Sequence, residues 1–288
     1  MRQPTAGTLG DTKVSFNIGK GVKSPNAFQQ QNALFELVQG TPLGATVSPV
    51  GPEKSRGWDI ALEQGFGDGQ YRARIGYFNN PFEGLLEFLN TQGMVRAGVP
   101  ADVATAAQFA YVNSQSFDAQ GLELSLDGVI RRVVRVGASY TYLDAEITEA
   151  FSASASTNPS LPGVQIGAFS PLVGNRPFRR PASSGTLFVS YADGPTAVTL
   201  SAYFAGKRDD STFLSDEFFG NSLLLPNQDL DPAYQKIDLS ASYAVHRQAR
   251  LFAVIENLFD KDYEAVFGFP SLPFTIRAGI TVTFGGDR

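Results

Sequence analysis

The sequence predicts an all-β protein, an antiparallel transmembrane β-barrel segment of about ten strands with short periplasmic turns and long extracellular loops. Three observations lead to this fold class. About ten segments alternate apolar and polar residues with the two-residue period of a strand. The connections between these segments alternate between tight turns and long loops. No segment approaches the roughly 18 consecutive apolar residues that a membrane-spanning helix requires.

The last segment, residues 274–284, alternates most regularly. Apolar residues occupy one face at Phe274, Ile276, Ala278, Ile280, Val282 and Phe284. Polar or small residues occupy the other face at Thr275, Arg277, Gly279, Thr281 and Thr283. Successive side chains of a strand point to opposite faces, so this segment is predicted to be a strand with one apolar surface. Further strands are predicted at residues 13–19, 57–66, 70–79, 122–126, 131–143, 184–191, 197–204, 237–243 and 250–258.

The connections are of two kinds. Tight turns are predicted at residues 65–69, 127–128, 192–195 and 244–247. Long loops are predicted at residues 20–55, 81–116, 145–181 and 207–232, with a shorter loop at residues 260–272. Compact soluble domains seldom contain loops of this length. Bacterial outer-membrane barrels do, and a closed barrel pairs every backbone N–H and C=O within lipid. Residues 100–111 are expected to form a short helix inside one loop.

Composition excludes several classes of function. The net charge is −5 with no basic cluster, which argues against a nucleic-acid partner. The absence of cysteine excludes a disulfide framework and any thiolate site. Charged residues make up 18% of the chain, below the roughly 25% typical of soluble domains.

A soluble alternative stays open at this stage. A β-sandwich or a lipocalin-like barrel also alternates, with its apolar face turned inward. The N-terminal residues lack the apolar core of a signal peptide, so the sequence is expected to be a mature chain or a fragment.

Several motifs resemble the C-terminal half of the TonB-dependent receptor barrel. They are residues 19–25 (GKGVKSP), 52–59 (PEKSRGWD), 120–123 (QGLE), 179–181 (RRP) and 256–264 (ENLFDKDYE). The most specific is the last, which is similar to the family's Asn-Leu-Phe-Asp-x-x-Tyr pattern at Asn257, Leu258, Phe259, Asp260 and Tyr263. The resemblance covers about residues 12–284 and implies the last ten of 22 strands. It implies that the plug domain and the TonB box are not among these residues, and that Met1 is an internal or misassigned start.

The last strand also resembles the assembly signal of outer-membrane proteins. Arg277, Gly279, Val282 and Phe284 carry this similarity. The resemblance implies that the barrel-assembly machinery reads the segment as an added strand. Family members often end on the aromatic residue, whereas four further residues follow Phe284 here.

An enzyme is not expected. Outer-membrane proteases and phospholipases need a histidine at the extracellular rim or within reach of lipid, since general-base work usually falls to histidine. The only histidine, His246, lies in a predicted short periplasmic turn. No metal site and no cofactor are predicted, because the loop pairs Asp209-Asp210 and Asp216-Glu217 lack a recognisable ligand spacing and are interpreted as solvated charge.

Five cations near predicted loop bases could attract an anionic ligand, or could instead meet lipopolysaccharide phosphates or lumen acids. They are Arg176, Arg179, Arg180, Lys207 and Arg208. The family resemblance implies a receptor that binds a scarce small molecule, such as a ferric siderophore or cobalamin, and takes it up with energy transduced through TonB. Expected partners are outer-membrane lipid and lipopolysaccharide, the barrel-assembly machinery, and TonB through an N-terminal part. The alternative is a self-contained ten-stranded porin or structural barrel, in which residues 13–19 would pair with residues 274–284.

Overall fold

A computed structural model describes residues 11–149, 173–210 and 227–284. Its strands are β1 Thr12–Lys23, β2 Glu53–Phe66, β3 Tyr71–Asn79, β4 Phe82–Asn90, β5 Phe109–Ile130, β6 Val134–Glu149, β7 Ser183–Asp193, β8 Thr196–Ala205, β9 Arg208–Asp210, β10 Asn227–Asp231, β11 Tyr234–His246, β12 Ala249–Glu256, β13 Glu264–Val266, β14 Phe269–Pro270 and β15 Thr275–Val282. Its helices are α1 Ala27–Gln31, α2 Leu34–Val38, α3 Thr91–Arg96 and α4 Ala101–Ala107.

Ten strands form one continuous antiparallel wall in the order β1-β2-β3-β5-β6-β7-β8-β11-β12-β15. Each of the ten overlaps one of the predicted strand segments, so the prediction of an antiparallel sheet of about ten strands is confirmed. Among the described residues β1 and β15 are the two edges of the wall and do not pair with each other. The described wall therefore lacks the pairing that a closed ten-stranded barrel requires.

The register aligns the apolar residues of neighbouring strands on one face. Leu239 of β11 lies opposite Leu200 of β8 and Ile255 of β12, and Ile255 lies opposite Ile276 of β15. This face is exposed: the accessible fraction is 59% for Ile276 and 43% for Leu200. Lipid would cover such a surface, since the apolar side chains of a membrane barrel face outward.

The opposite face of the wall carries charges that pair across strands. Arg74 of β3 lies 3.3 Å from Glu123 of β5. Arg277 of β15 lies 3.1 Å from Glu256 of β12. The predicted separation into an apolar outer face and a polar inner face is therefore present in the wall.

The predicted loop at residues 81–116 is largely a β-hairpin. Pro81 interrupts what would otherwise be one strand, because proline has no N–H to donate to the ladder. Beyond it, β4 continues against β2 and β5, and β5 begins at Phe109 rather than near residue 122. The helices α3 and α4 connect β4 to β5, and α4 lies within the predicted helix at residues 100–111. No helix in the described segments is long and apolar enough to cross a membrane.

Other predicted boundaries also shift. β1 extends to Lys23 and β6 to Glu149, so the predicted loops begin later than expected. The loop at residues 260–272 contains the short hairpin of β13 and β14. Parts of the loops at residues 145–181 and 207–232 lie outside the described residues, as does Asp216-Glu217. His246 is the last residue of β11 rather than a turn residue, and its Nδ1 accepts a hydrogen bond from the Gln248 N–H at 3.3 Å.

The main apolar core of the described chain lies above the wall, among the long connections. Its buried members are Leu34, Val38, Val47, Leu89, Met94, Val99, Ala104, Ala110 and Val112. They come from α2, the following loop, β4, α3, α4 and the start of β5. We call this unit, residues 27–47 and 82–112, the apolar cap. It forms because α2, α3 and α4 bury apolar residues together with one face of the β4–β5 hairpin.

Candidate functional site at the long-loop rim

The predicted loop cations lie at the rim from which the long connections leave the wall, but they differ in exposure. Arg176 and Arg180 are exposed, and neither has an ion-pair partner among the described residues. Lys207 is exposed and lies 3.3 Å from the Asp229 carboxylate. Arg208 is 3% accessible, so its guanidinium cannot face an approaching ligand.

Arg179 and Arg208 belong to an ionic cluster whose other members are buried carboxylates. We call it the ionic clip: Arg179, Arg208, Asp209, Asp210 and Asp231. The Arg179 Nε donates to both oxygens of Asp210 at 3.1 and 3.0 Å. The Arg208 Nε lies 3.7 Å from Asp231 Oδ2. Asp209, Asp210 and Asp231 are all buried. The interpretation of Asp209-Asp210 as solvated charge was therefore wrong, because both carboxylates find partners brought from distant parts of the chain.

The guanidinium of Arg208 joins two connections. Its Nη1 donates to the Gly206 carbonyl at 2.9 Å, and its Nη2 donates to the Glu264 carbonyl at 2.9 Å. It also lies 5.0 Å from the ring centroid of Tyr234, a cation–π contact. The Tyr234 ring stacks on Tyr263 with centroids 4.4 Å apart and planes within 5°. The clip thus fastens the segment between β8 and β11 to the loop between β12 and β15.

Burial in the clip raises the pKa of Asp231 to about 6. Loss of hydration is the largest cause, and the neighbouring Asp210 carboxylate raises the pKa further. The cations Arg208 and Arg179 lower it only in part. The charge of Asp231 therefore changes in mildly acidic surroundings.

The Asn-Leu-Phe-Asp-x-x-Tyr motif, residues 257–263, forms the corner where the chain leaves the wall after β12. Asn257 is 2% accessible and has a φ of +53°, in the left-handed region that asparagine tolerates better than most residues. Its Nδ2 donates to the Lys261 and Leu272 carbonyls at 3.0 Å, and its Oδ1 accepts from the Lys261 N–H at 3.0 Å. One side chain therefore ties together both ends of the loop that follows β12.

The remaining motif residues extend the same corner. Asp260 accepts a hydrogen bond from the Phe274 N–H at 2.7 Å, which fixes the chain just before β15. The Leu258 N–H donates to the Ile237 carbonyl of β11 at 2.7 Å. Phe259 is 62% accessible, and Tyr263 contributes the ring that stacks on Tyr234. In the structure the motif residues hold both ends of the loop that follows β12.

The four residues of the expected assembly signal lie on or just beyond β15. Arg277 pairs with Glu256, and Val282 lies opposite Ala249. Phe284 follows the strand and is 89% accessible. A Cβ at Gly279 would meet the Phe252 ring at 2.8 Å, so close packing against this ring also favours glycine at this position. Recognition of these residues by the assembly machinery stays a prediction.

Sequence reasoning missed an aromatic cluster on the apolar cap. Phe28, Phe88, Phe109 and Tyr111 contact one another with ring centroids 5.5 to 6.3 Å apart. Phe28 is 55% accessible and the others are half-buried. In the β4–β5 ladder Leu85 lies opposite Gln115 and Leu86 lies opposite Asn113, so a bulge on β5 separates these rings from the regular alternation around Glu123. We call these four side chains the aromatic plate.

The family of TonB-dependent receptor-like β-barrels matches residues 4–258. The chain belongs to this family, and its wall is that of an outer-membrane barrel. Members of the family are transport receptors rather than enzymes.

Individual relatives agree with this assignment. A probable TonB-dependent siderophore receptor, PiuA of Acinetobacter baumannii, is 29% identical over 153 residues, which are 53% of this chain and 18% of that protein. The pyoverdine receptor FpvA of Pseudomonas aeruginosa superposes with a TM-score of 0.62 at 16% identity, over 95% of this chain and 34% of FpvA. The ferric-catecholate receptor Fiu of E. coli gives a TM-score of 0.61 at 19% identity, over 95% of this chain and 33% of Fiu.

The two structural matches establish the fold. They also show that the chain spans about a third of the length of these receptors. The shared part is the antiparallel wall with its long connections at one rim.

Proposed function

We propose that this chain forms the C-terminal part of the barrel of an outer-membrane receptor that takes up a ferric siderophore with energy from TonB. The observation that carries the proposal is the rim: long connections fold over one end of a receptor-family wall, while turns close the other end. In this proposal residues 1–288 supply wall and loops. The plug and the TonB box are parts of the receptor that these residues do not supply.

The names of the relatives favour a ferric siderophore over cobalamin as the ligand: PiuA is named a probable siderophore receptor, FpvA a pyoverdine receptor and Fiu a ferric-catecholate import receptor. The exposed Arg176 and Arg180 would attract an anionic iron chelate. The aromatic plate would offer flat apolar contact. Lys207, Arg179 and Arg208 would act indirectly, by holding the connections through their ion pairs.

The test is ligand binding and uptake by the complete receptor. Binding of ferric catecholate, ferric hydroxamate, ferric pyoverdine and cobalamin would be measured on purified protein, and uptake of radioactive iron in cells with and without TonB. We expect saturable binding of one ferric chelate and uptake only with TonB. Uptake that is unsaturable and independent of TonB would contradict the proposal and support a small porin.

A charge-matched pair of variants tests the ligand contacts. Arg176→Gln with Arg180→Gln should weaken binding of the ferric chelate by about tenfold, because both cations lie on the rim of the long connections. Arg131→Gln with Arg132→Gln is the control, since these exposed arginines lie in the short turn between β5 and β6. Equal affinities for the two double variants would remove Arg176 and Arg180 from the ligand site.

A further inference from the structure

Three cations lie together on the outward face of β1 and β2, at the long-loop rim. Lys20 of β1 lies directly opposite Arg56 of β2, and Val22 lies opposite Lys54. All three cations are exposed. They line a common shallow cavity of about 210 Å³, together with Glu83 of β4. We call Lys20, Lys54 and Arg56 the outer cation cluster.

The strand period places this cluster on the lipid-facing side. On β1 the same face carries Val14, Phe16 and Ile18 before Lys20, and on β2 it carries Leu62, Ile60 and Trp58 before Arg56. The apolar side chains of both strands are exposed, from Val14 at 67% to Trp58 at 38%. The cations therefore follow directly after an apolar band on a surface that lipid would cover.

Neighbouring residues mark the edge of that band. Trp58 contacts the rings of Phe16 and Tyr77 at 6.4 and 5.5 Å, as in the aromatic girdles of membrane barrels. At the register level of Trp58, the next strands present Asn79, Gln120 and Asp144 on the same face. The outer face thus becomes polar at this level, and Lys20 and Arg56 lie two residue pairs beyond it.

The cluster lacks neutralising partners. Among the described residues, Lys20, Lys54 and Arg56 have no ion pair within 4.0 Å, although Glu83 lies opposite Lys54 in the register. On the inner face of the same two strands, Lys23 lies 2.7 Å from Glu53. Like charges directly opposite each other in a sheet repel, so Lys20 and Arg56 destabilise the wall unless an anion lies between them.

We infer that the outer cation cluster binds the phosphorylated head group of an outer-leaflet glycolipid, lipopolysaccharide, whose acyl chains lie along Phe16 and Ile18. Clusters of lysine and arginine beside an apolar membrane band are suited to anionic lipid head groups. The outer membrane supplies such phosphates at the extracellular rim. This site is separate from Arg176 and Arg180, because those arginines lie on the connection between β6 and β7, and β3 and β5 lie between β2 and β6 in the wall.

The test is binding of lipid A to the receptor purified in a mild, uncharged detergent. The probes are fluorescent diphosphoryl lipid A, its dephosphorylated analogue, and inorganic phosphate as a competitor. Wild-type protein should prefer the diphosphoryl form. Lys20→Gln, Lys54→Gln and Arg56→Gln together should weaken its binding at least about tenfold and abolish the preference.

The matched control removes three cations from the inner face of the first strands, with Lys13→Gln, Lys23→Gln and Arg72→Gln together. This variant should bind diphosphoryl lipid A within about twofold of wild type. A charge-conserving variant, Lys20→Arg, Lys54→Arg and Arg56→Lys, should also retain binding and shows that the sheet tolerates substitution there.

Two outcomes would overturn the inference. One is equal weakening by the outer and inner triple variants, which would mean that net charge alone attracts the lipid. The other is full competition by inorganic phosphate, which would identify a site for free anions rather than for a lipid.

Discussion

The apolar cap and the ionic clip order the long connections of the same rim by different means. The cap, above β1 to β5, buries Leu34, Leu89 and Met94 completely, and its cohesion comes from apolar burial. The clip, above β7 to β15, buries Arg208, Asp210 and Asp231, and its cohesion comes from charge pairing and hydrogen bonds. The cap should therefore respond to lost volume, whereas the clip should respond to pH and to the loss of one charge.

The largest effect is expected in the clip. Arg208→Met would leave the buried Asp231 carboxylate without its paired cation, at a cost of about 3–5 kcal/mol. Hydrogen exchange of residues 206–210 and 257–274 would measure the loss of protection. Lys207→Met is the control, because its exposed pair with Asp229 should contribute less than about 1 kcal/mol. Similar losses in both variants would contradict the distinction between buried and exposed pairs.

The cap should respond to a cavity instead. Leu89→Ala removes a fully buried side chain and should destabilise the cap by about 2–5 kcal/mol. Hydrogen exchange at residues 34–38 and 101–107 should accelerate, while the clip keeps its protection. Leu272→Ala is the control, since Leu272 is 69% accessible. Loosening of both regions by Leu89→Ala would show that the rim is one cooperative unit.

The strands and the loops were not equally predictable. The ten wall segments could be predicted because one face is apolar and the other polar, which produces a period of two. The start of β5 was missed because Phe109 and Tyr111 on one face and Ala110 and Val112 on the other are all apolar, so no contrast marks the period. The clip was missed because Arg208 and Glu264 are far apart in sequence, and loop charges are usually solvated.

A titration distinguishes the two regions further. Because the pKa of Asp231 is raised from 3.8 to about 6, its neutral form favours the folded clip. Clip stability should be highest below about pH 4, fall by roughly 3 kcal/mol as the pH rises to about 6, and stay constant above. Hydrogen exchange of residues 206–210, corrected for the intrinsic rate, would follow this change. Asp231→Asn should abolish the fall, whereas Asp229→Asn should retain it, and a cap that shows the same fall would contradict the comparison.

The smallest effect is expected at Asn257, whose side chain holds the loop that follows β12. Asn257→Gly keeps the positive φ but loses the side-chain hydrogen bonds, at about 1–3 kcal/mol. Asn257→Ala loses the same bonds and adds left-handed strain of about 1 kcal/mol. Exchange protection of residues 261–272 would compare the two variants. Equal protection in wild type and Asn257→Gly would mean that the side-chain bonds do not hold the loop.

The most direct test of this account is the side of the membrane on which the long-loop rim lies. The chain contains no cysteine, so a single introduced thiol can be labelled without background. Arg180→Cys, beside the long connections, and Asp68→Cys, in the short turn between β2 and β3, would be exposed to a membrane-impermeant maleimide in intact cells. We expect labelling of Arg180→Cys in intact cells and of Asp68→Cys only after the outer membrane is permeabilised. The reverse pattern would contradict a receptor whose cap and clip face the ligand.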